Sequence, residues 1–374
     1  MSIYKDMGLK DIINASGKMT VLGCSTLDRR VSDYMREASD NFVEMEELIN
    51  KAGEIIARYI GAEDVCVTVG AAAGIAISVA AILTEGDLDR IEKLPIFESD
   101  KKNIIIQKGH VVNFGAPIVQ MIKLGGGNPI EVGQANKVEK YNIENNINEN
   151  TKALLYIKSH HCVQKGMVSL EDMINIGKKH NIPVIVDGAA EENLKIYLQK
   201  GADLVIYSGG KALAGPTSGF IAGREDLIEN CKLQYKGIGR VMKVSKECIA
   251  GLIKAVEIYF TDDHKAKAQK QKEKMEWLMD EINKIEGFSS VIEKDESGRE
   301  IYRLKISVIR EKLNMSAEEV IKYLKNGDPS IFTRNHYSNI GIIYIDPRPL
   351  NEGEEKIILN RFIGIGKIGK EGKK

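Results

Sequence analysis

The sequence predicts an α/β protein, with a mostly parallel sheet covered by helices on both faces and a smaller α+β region after it. Three observations predict this fold. Six short apolar runs alternate with helical stretches between about residue 44 and residue 245. The runs are apolar nearly throughout, as in strands that are buried on both faces. Beyond residue 245 the chain becomes richer in charge, and strands and helices follow a different order.

Composition fits a soluble enzyme of about two domains and gives no sign of a nucleic-acid or membrane partner. The chain has 374 residues, of which 43% are hydrophobic and 28% are charged. Its 53 Lys and Arg residues balance 53 Asp and Glu residues. A neutral chain lacks the positive field that attracts nucleic acid or an anionic membrane surface.

Cysteine usage and hydropathy predict a cytoplasmic location. The five cysteines are scattered and none forms a CxxC pair, which is typical of reduced thiols rather than of disulfides or a zinc cluster. The first ten residues contain no apolar signal core, and the apolar run at residues 71–83 is too short to span a bilayer. We therefore expect a soluble, cytoplasmic protein.

Three segments are predicted along the chain: an N-terminal arm (1–43), a large domain (44–245) and a small C-terminal domain (246–374) that begins with a linking helix. The arm is rich in glycine and serine, which predicts irregular structure. The large domain opens with an amphipathic helix over 44–60 that ends at Gly61. Its predicted strands are 65–69, 104–107, 152–157, 183–186, 204–207 and 220–222.

The small domain has a different pattern. A long, charged helix is predicted from Glu247 to about residue 285, followed by a strand at 301–309. A capping box, in which Ser316 precedes Glu319, predicts the start of a further helix. The last predicted strand covers 340–345.

Four residues follow predicted parallel strands directly, namely Gly70, His110, Asp187 and Ser208. The carboxyl ends of parallel strands meet at one edge of a sheet, and ligands of such sheets bind outside that edge. We therefore expect the functional site there.

Lys211 and Asp187 together suggest a pyridoxal phosphate (PLP) site. Burial of Lys211 after a core strand would lower the pKa of its amine and suit it to Schiff-base formation; the alternative is a loop lysine with its ammonium in water. A buried Asp187 carboxylate could keep the cofactor's ring nitrogen protonated, as an electron sink requires; the alternative is an Asp-Gly turn. One strand–helix unit separates the two residues, so the pair carries more weight than either alone.

Other residues could complete such a site. Gly70, Ala71 and Ala72 lie between a strand and a helix, where free N–H groups and the helix dipole favour a phosphate; close packing of the helix on the sheet is the alternative. The Ser208 hydroxyl could bind the same phosphate. His110 could stack on the cofactor ring, although a lone histidine is more often an ordinary loop or core residue.

Cationic side chains are candidates for binding substrate anions. Arg240 and Lys243, with Lys246, precede a predicted helix and could clamp a phosphate or carboxylate. Arg334 and Arg348 lie beside strands of the small domain and could bind a substrate carboxylate. The alternative for each is a solvated surface position.

No metal site is expected. The segment Ser159-His160-His161-Cys162 contains two adjacent histidines, but neighbouring side chains of an extended segment point to opposite faces. No further ligand stands at a spacing typical of zinc sites.

With these motifs assembled, the chain resembles the selenocysteine-synthase-like branch of the fold type I PLP enzymes. The motifs that carry the resemblance are NASG (14–17), GAAAG (70–74), VDGA (186–189), SGGK (208–211) with GP (215–216), and GRVMKVSK (239–246). The resemblance implies a seven-stranded sheet in a three-layer large domain, and PLP attached covalently to Lys211 with Asp187 at its ring nitrogen. It also implies a homo-oligomer, a dimer or a ring of dimers, with active sites at subunit interfaces.

Within that branch the chain is most similar to ammonia-lyases of 2-amino sugar acid phosphates. This similarity implies conversion of D-glucosaminate 6-phosphate to 2-keto-3-deoxygluconate 6-phosphate and ammonia. The alternatives are an L-seryl-tRNA(Sec) selenium transferase, an aminotransferase or another β-eliminating lyase, and a non-catalytic sugar-phosphate-binding protein. The selenium transferases carry an additional N-terminal tRNA-binding domain. Here the core begins almost at once and the net charge is zero, so we do not expect a tRNA substrate.

Overall fold

The computed structural model describes residues 3–96, 98–159, 162–295 and 299–371. Its strands are β1 (Ile12–Ala15), β2 (Asp64–Thr68), β3 (Asn103–Gln107), β4 (Asn128–Val132), β5 (Thr151–Ile157), β6 (Val184–Asp187), β7 (Leu204–Ser208), β8 (Gly219–Gly223), β9 (Phe288–Lys294), β10 (Tyr302–Val308), β11 (Ser330–Thr333) and β12 (Ile342–Ile345). Its helices are α1 (Ile3–Asp6), α2 (Arg29–Ser39), α3 (Met45–Ile60), α4 (Ala71–Thr84), α5 (Leu88–Lys93), α6 (Ile118–Leu124), α7 (Lys140–Glu144), α8 (Leu170–His180), α9 (Ile196–Gln199), α10 (Glu225–Leu233), α11 (Lys246–Thr261), α12 (His264–Ile282), α13 (Arg310–Leu313), α14 (Ala317–Asn326) and α15 (Glu354–Glu371). None of these helices is both long and apolar enough to cross a membrane.

The chain divides into two units whose boundaries differ from the predicted ones. Leu27–Thr261 form the large unit, and Met1–Thr26 with Asp262–Lys374 form the small unit. Helices α2 and α11 pack against each other within the large unit. The amine of Lys246 donates hydrogen bonds to Ala38 O (2.6 Å) and Ser39 O (3.0 Å), at the carboxyl end of α2. These contacts explain why 27–43 and 246–261 belong with the sheet rather than with an arm and a small domain.

A seven-stranded sheet organises the large unit. Its order is β2-β8-β7-β6-β5-β3-β4. Strand β8 runs antiparallel to both of its neighbours, and all other neighbouring pairs are parallel. The predicted mostly parallel α/β sheet is therefore confirmed. The edge strand β4 was not predicted, because Pro129 lies within it; proline is tolerated there since only one side of an edge strand is paired.

Both faces of the sheet are buried, which explains the apolar runs. Side chains alternate between two clusters: Val205 and Tyr207 of β7 lie in one, and Leu204 and Ile206 lie in the other. Helix α4 covers the second face and is buried from Ala73 onwards. Its approach requires a glycine at Gly74, where a Cβ atom would come within 2.7 Å of Ile206 Cγ2.

The small unit contains a three-stranded antiparallel sheet, β12-β10-β9, and a separate parallel pair, β1 and β11. The prediction of an irregular N-terminal arm is wrong here, since β1 pairs with β11 over four residues. The single long helix predicted after residue 246 is also wrong. It is broken between α11 and α12, where Asp263 caps α12 by accepting a hydrogen bond from Ala266 N. The Ser316 capping box at the start of α14 is confirmed.

Candidate active site

The residues predicted to follow parallel strands meet at one edge of the sheet. Strands β2, β3, β6 and β7 all run in the same direction, because β2 and β7 are each antiparallel to β8. Gly70 and His110 follow β2 and β3, and Asp187 and Ser208 end β6 and β7. We call the space beyond this edge the strand-end crevice.

Asp187 is a buried carboxylate with little to neutralise it. Its side chain is buried, and its Oδ1 accepts one hydrogen bond, from Ala189 N at 3.0 Å. Burial raises the pKa of the Asp187 carboxyl to about 6, against the opposing effect of the Lys211 charge. Such a group gains free energy from any cationic ligand that enters the crevice.

Lys211 lies on a loop that is closed by backbone hydrogen bonds. Gly215 N donates to Gly209 O at 2.7 Å, and Gly209 N donates to Ser218 O at 2.8 Å. A Cβ atom at Gly209 would come 2.1 Å from Ser218 Oγ, so this turn requires glycine. The Lys211 side chain is half-buried. The predicted glycine-rich turn therefore holds the lysine at the end of β7, on the side of the sheet where Asp187 lies.

The start of α4 offers backbone N–H groups at the same edge. Gly70 precedes the helix, and Ala71 and Ala72 form its half-buried first turn. The backbone of Gly219 lies against this turn: a Cβ atom there would come 2.9 Å from the Gly70 carbonyl carbon. The first turn of a 14-residue helix has unpaired N–H groups and a positive dipole end, both of which suit a phosphate.

His110 is fully buried, and its two nitrogens differ in their hydrogen bonding to the described residues. Its Nδ1 accepts a hydrogen bond from Ile157 N at 3.2 Å, and its ring meets Tyr156 edge-on. Burial, with a smaller contribution from the charge of Lys158, lowers the pKa of His110 to about 4. The imidazole is therefore neutral with its hydrogen on Nε2, which has no hydrogen-bond partner among the described residues.

These features fit PLP. A buried carboxylate suits a protonated ring nitrogen, a helix N-terminus suits a phosphate, and Lys211 supplies an amine. The unsatisfied His110 Nε2 is a buried donor whose hydrogen bond a ligand would complete. The Ser208 side chain, at the end of β7, is half-buried beside the same edge.

The prediction missed one residue of the crevice, Lys158. It follows β5, and its backbone N donates to Asp187 O at 2.9 Å. Its half-buried side chain donates from Nζ to Gln164 Oε1 at 3.3 Å. The sequence could have indicated Lys158 as a candidate, because it directly follows an apolar run, as Asp187 does.

In the small unit the two candidate arginines differ. Arg348 is bound to the buried Asp346, with Nε 2.9 Å from Oδ1 and Nη2 2.8 Å from Oδ2. Arg303 also binds Asp346. Arg334 is half-buried and forms no side-chain hydrogen bond or ion pair with a described residue. Burial, reinforced by the neighbouring charge of Arg303, lowers the pKa of its guanidinium.

The cations after residue 239 do not act as one group. Arg240 and Lys243 are exposed, and Arg240 lines a surface groove with residues of α3 and α10. The amine of Lys246 caps α2, so it is not available to bind a ligand anion beside them. His160 and His161, for which no metal role was expected, lie outside the described residues.

Comparison with known proteins gives two close relatives along nearly the full chain. Residues 12–312 match the SelA family, described as L-seryl-tRNA selenium transferase. D-glucosaminate-6-phosphate ammonia lyase from Salmonella typhimurium is 42% identical, over 96% of this chain and 97% of its own. A 5'-C-glycyluridine monooxygenase-decarboxylase from a Streptomyces species is 40% identical, over 95% of this chain and 90% of its own.

Comparison with solved structures agrees with the comparison of sequences. A structure of D-glucosaminate-6-phosphate ammonia-lyase superposes with a TM-score of 0.93 and 42% identity, covering 99% of each chain. An aspartate aminotransferase from Thermus thermophilus superposes with a TM-score of 0.53 at 14% identity, which shows the fold alone. The fold is that of the fold type I PLP enzymes, as predicted.

Proposed function

The chain belongs to the SelA family, as the motifs predicted, and from this premise we propose that it is a PLP-dependent ammonia lyase. Its proposed substrate is a 2-amino sugar acid phosphate, most specifically D-glucosaminate 6-phosphate. The products are 2-keto-3-deoxygluconate 6-phosphate and ammonia. The 42% identity to the Salmonella lyase and the TM-score of 0.93 support this substrate.

One observation carries the proposal: a buried carboxylate that forms no ion pair with a described residue lies at the sheet edge where β7 leads into the lysine loop. The Asp187 side chain accepts its hydrogen bond from a backbone N–H, although the Lys211 charge is near enough to influence the pKa of the carboxyl. A carboxylate left in this state suits a cofactor that carries a protonated ring nitrogen. When bound, PLP supplies an electron sink for a carbanion at the substrate Cα.

Each proposed residue has a distinct task. Asp187 would keep the ring nitrogen protonated, and His110 would contact the cofactor, with its Nε2–H as a hydrogen-bond donor. Ser208 and the first turn of α4, at Ala71 and Ala72, hold the phosphate. Lys211 would hold the cofactor covalently, and its amine, when free, would take the Cα proton of the substrate.

The substrate's own anions need partners as well. Arg334 is proposed to bind the carboxylate, because its guanidinium has no carboxylate partner among the described residues, whereas Arg348 is occupied by Asp346. Asp346 holds the Arg348 side chain in place, and Asp346 itself is not proposed to contact the substrate. Arg240 and Lys243 remain candidates for the distal phosphate, supported by their exposure.

The test is a product assay on the purified holoenzyme. We expect ammonia and a 2-keto-3-deoxy acid phosphate from D-glucosaminate 6-phosphate in equal amounts, and a visible absorbance from the bound cofactor. Formation of neither product from this or any other 2-amino sugar acid phosphate would overturn the proposal. Oxygen consumption with 5'-C-glycyluridine would favour the chemistry of the Streptomyces relative instead.

The three remaining candidate functions give different results in the same set of assays. A selenium transferase would bind aminoacylated tRNA in a gel-shift experiment. An aminotransferase would transfer the amino group to a keto acid and release no ammonia. A sugar-phosphate-binding protein without catalysis would be colourless when purified.

The proposal extends to location and assembly. A cytoplasmic location is supported by the five cysteines, all of which are free. A homo-oligomer, a dimer or a ring of dimers, is supported by the apolar side chains of Phe42 and Val241, which are 105% and 85% exposed. Light scattering of the purified protein would measure the mass of the assembly, and a monomeric mass would contradict this part of the proposal.

A further inference from the structure

Loss of the C3 hydroxyl requires a proton donor, a role that the proposed function has not yet given to a residue. Hydroxide is a poor leaving group, so the departing oxygen must be protonated as the C–O bond breaks. Asp187 acts as an anion, Arg334 is assigned to the carboxylate, and Lys211 takes up the Cα proton. Lys211 becomes an ammonium in this step, and a second ammonium in the strand-end crevice would divide the two proton transfers between two residues.

Lys158 lies at the sheet edge that also carries Asp187 and His110. Strand β5 runs between β6 and β3, so the residue that follows it stands between the carboxyl ends that carry Asp187 and His110. Its backbone N–H donates to Asp187 O at 2.9 Å, and this bond fixes Lys158 beside that residue. The placement follows from the sheet register, in which Ile157 pairs with Asp187.

The Lys158 ammonium donates a hydrogen bond to one side chain of the same loop, that of Gln164. Gln164 Oε1 accepts from Nζ at 3.3 Å, while Gln164 Nε2 donates to Ile157 O at 3.4 Å, so Gln164 is itself fixed to the end of β5. An ammonium has three hydrogens. Gln164 accepts one, and the other two have no acceptor within the described part of the chain.

His110 is another donor nearby, and it is a weaker acid than Lys158. Its imidazole is neutral, since burial lowers its pKa to about 4, and a neutral imidazole N–H gives up a proton far less readily than an ammonium does. The charge of Lys158 reaches the His110 ring, where it adds to the lowering of the pKa by burial, and the Cys162 thiol, where it opposes the rise in pKa that burial causes. The positive charge of Lys158 is therefore felt inside the crevice.

We propose that Lys158 is the catalytic acid that protonates the C3 hydroxyl, and that Gln164 is the residue that positions it. This inference rests on the proposed lyase function. The Cα–H electron pair forms the C2–C3 double bond, and the Cα proton goes to Lys211. The C3–O bond breaks, its electron pair stays on oxygen, and that oxygen takes a proton from Lys158 Nζ and leaves as water. Because its side chain is only half-buried, Lys158 regains its proton from solvent.

Two substitutions separate proton donation from charge and from structure. Lys158→Gln removes the acid, whereas Lys158→Arg keeps the positive charge but replaces the ammonium by a group too weakly acidic to give up its proton. We expect both holoenzymes to keep the cofactor absorbance and to exchange the substrate Cα hydrogen with deuterium from solvent. Keto acid formation should fall by about 10²–10⁴-fold in both. Lys165→Gln, at an exposed lysine of the same loop, is the matched control and should behave as wild type.

A change of leaving group gives the deciding result. A substrate analogue with chloride at C3 needs no protonation, so both Lys158 variants should process it at the wild-type rate. Unchanged keto acid formation from the normal substrate, loss of Cα exchange in both variants, or failure of the chloride analogue to restore the rate would overturn the assignment of Lys158. A wild-type enzyme that forms no keto acid would instead overturn the proposed function.

Discussion

Two buried aspartates, one in each unit, occupy equivalent places at strand ends and differ in charge balance. Asp187 ends β6, and Asp346 directly follows β12. Asp187 is 7% exposed and Asp346 is fully buried. The Oδ1 atom of each accepts a hydrogen bond from the backbone N–H two residues later, which belongs to Ala189 or Arg348. Both carboxylates are thus buried at the end of an apolar strand.

Their partners produce opposite pKa shifts. Arg348 and Arg303 both bind Asp346 and hold the pKa of its carboxyl well below the usual range, against the effect of burial. Asp187 has no cationic partner at bonding distance among the described residues, so burial raises the pKa of its carboxyl. Neighbours therefore decide what a buried carboxylate does. The carboxylate neutralised within the chain is structural, and the one left for a ligand marks the candidate site.

The largest effect should follow from removing the amine near Asp187. We expect Lys211→Ala to abolish covalent attachment of the cofactor and to lower keto acid formation by at least about 10³–10⁴-fold. The visible spectrum and the product assay check this result. Lys165→Ala, at the exposed loop lysine, is the control. A Lys211→Ala variant with full activity would exclude Lys211 from the reaction.

Replacing each aspartate by asparagine should affect stability in opposite directions. Asp346→Asn removes the carboxylate that binds Arg348 and one of the two that bind the buried Arg303, the other being Asp295. It should lower the free energy of unfolding by up to about 3–5 kcal/mol. Asp187→Asn removes an unneutralised buried charge and should raise that of the apoprotein at pH 8 by up to about 3 kcal/mol. Urea unfolding measures both. Destabilisation of similar size in the two variants would remove the distinction.

The pH dependence of the apoprotein should identify the same two groups. The pKa of Asp187 rises from 3.8 to about 6 on folding, so its charge costs stability above pH 6 and costs nothing below pH 4. The native state takes up a proton between these values, and the free energy of unfolding gains up to about 3 kcal/mol as the pH falls. The pH dependence that Asp346 contributes has the opposite sign, because folding lowers the pKa of its carboxyl. Its stabilisation of the fold is present above pH 4 and is lost in stronger acid.

A titration of stability isolates the Asp187 contribution. The difference in unfolding free energy between the wild type and Asp187→Asn should shrink from its value at pH 8 to near zero at pH 4. A difference that does not vary with pH would show that Asp187 is not the titrating group.

The smallest effect concerns the arginine without a carboxylate partner among the described residues. Arg334→Gln should weaken substrate binding by about 1.5–3 kcal/mol, the value of a charge-assisted hydrogen bond, and should appear mainly in KM. Arg299→Gln is the matched control, because Arg299 is already bound to Asp295 at 2.9 Å. Equal KM values for both variants would contradict the role proposed for Arg334.

Most of the large unit could be predicted because its strands are buried on both faces and therefore read as continuous apolar runs. The same runs located Asp187, His110 and Ser208 at one edge. The strands that escaped prediction are short and depend on distant partners: β1 forms only against β11, and β4 contains Pro129. Sequence patterns describe what a segment buries more reliably than what it pairs with.

Side-chain partners were harder to predict than strand ends. Nothing in the spacing of Arg334 and Arg348 tells which is occupied, because Arg303 and Asp346 come together only in the folded small unit. Lys246 was interpreted as part of an anion clamp, but its target is the carboxyl end of α2, more than 200 positions earlier. Such long-range hydrogen bonds leave no local pattern.

The pairing of β1 with β11 bears on how the protein is made. Ile12 pairs with Ser330, 318 positions later, and a ribosome adding roughly 5–20 residues per second needs about 15–60 s to synthesise that length. During this interval Leu27–Thr261, one continuous segment, can emerge and fold. Until then the nascent Ile12–Ala15 segment has no strand to pair with. Its Ile13 side chain, which is buried in the folded protein, is exposed to chaperones and to other nascent chains on the same mRNA.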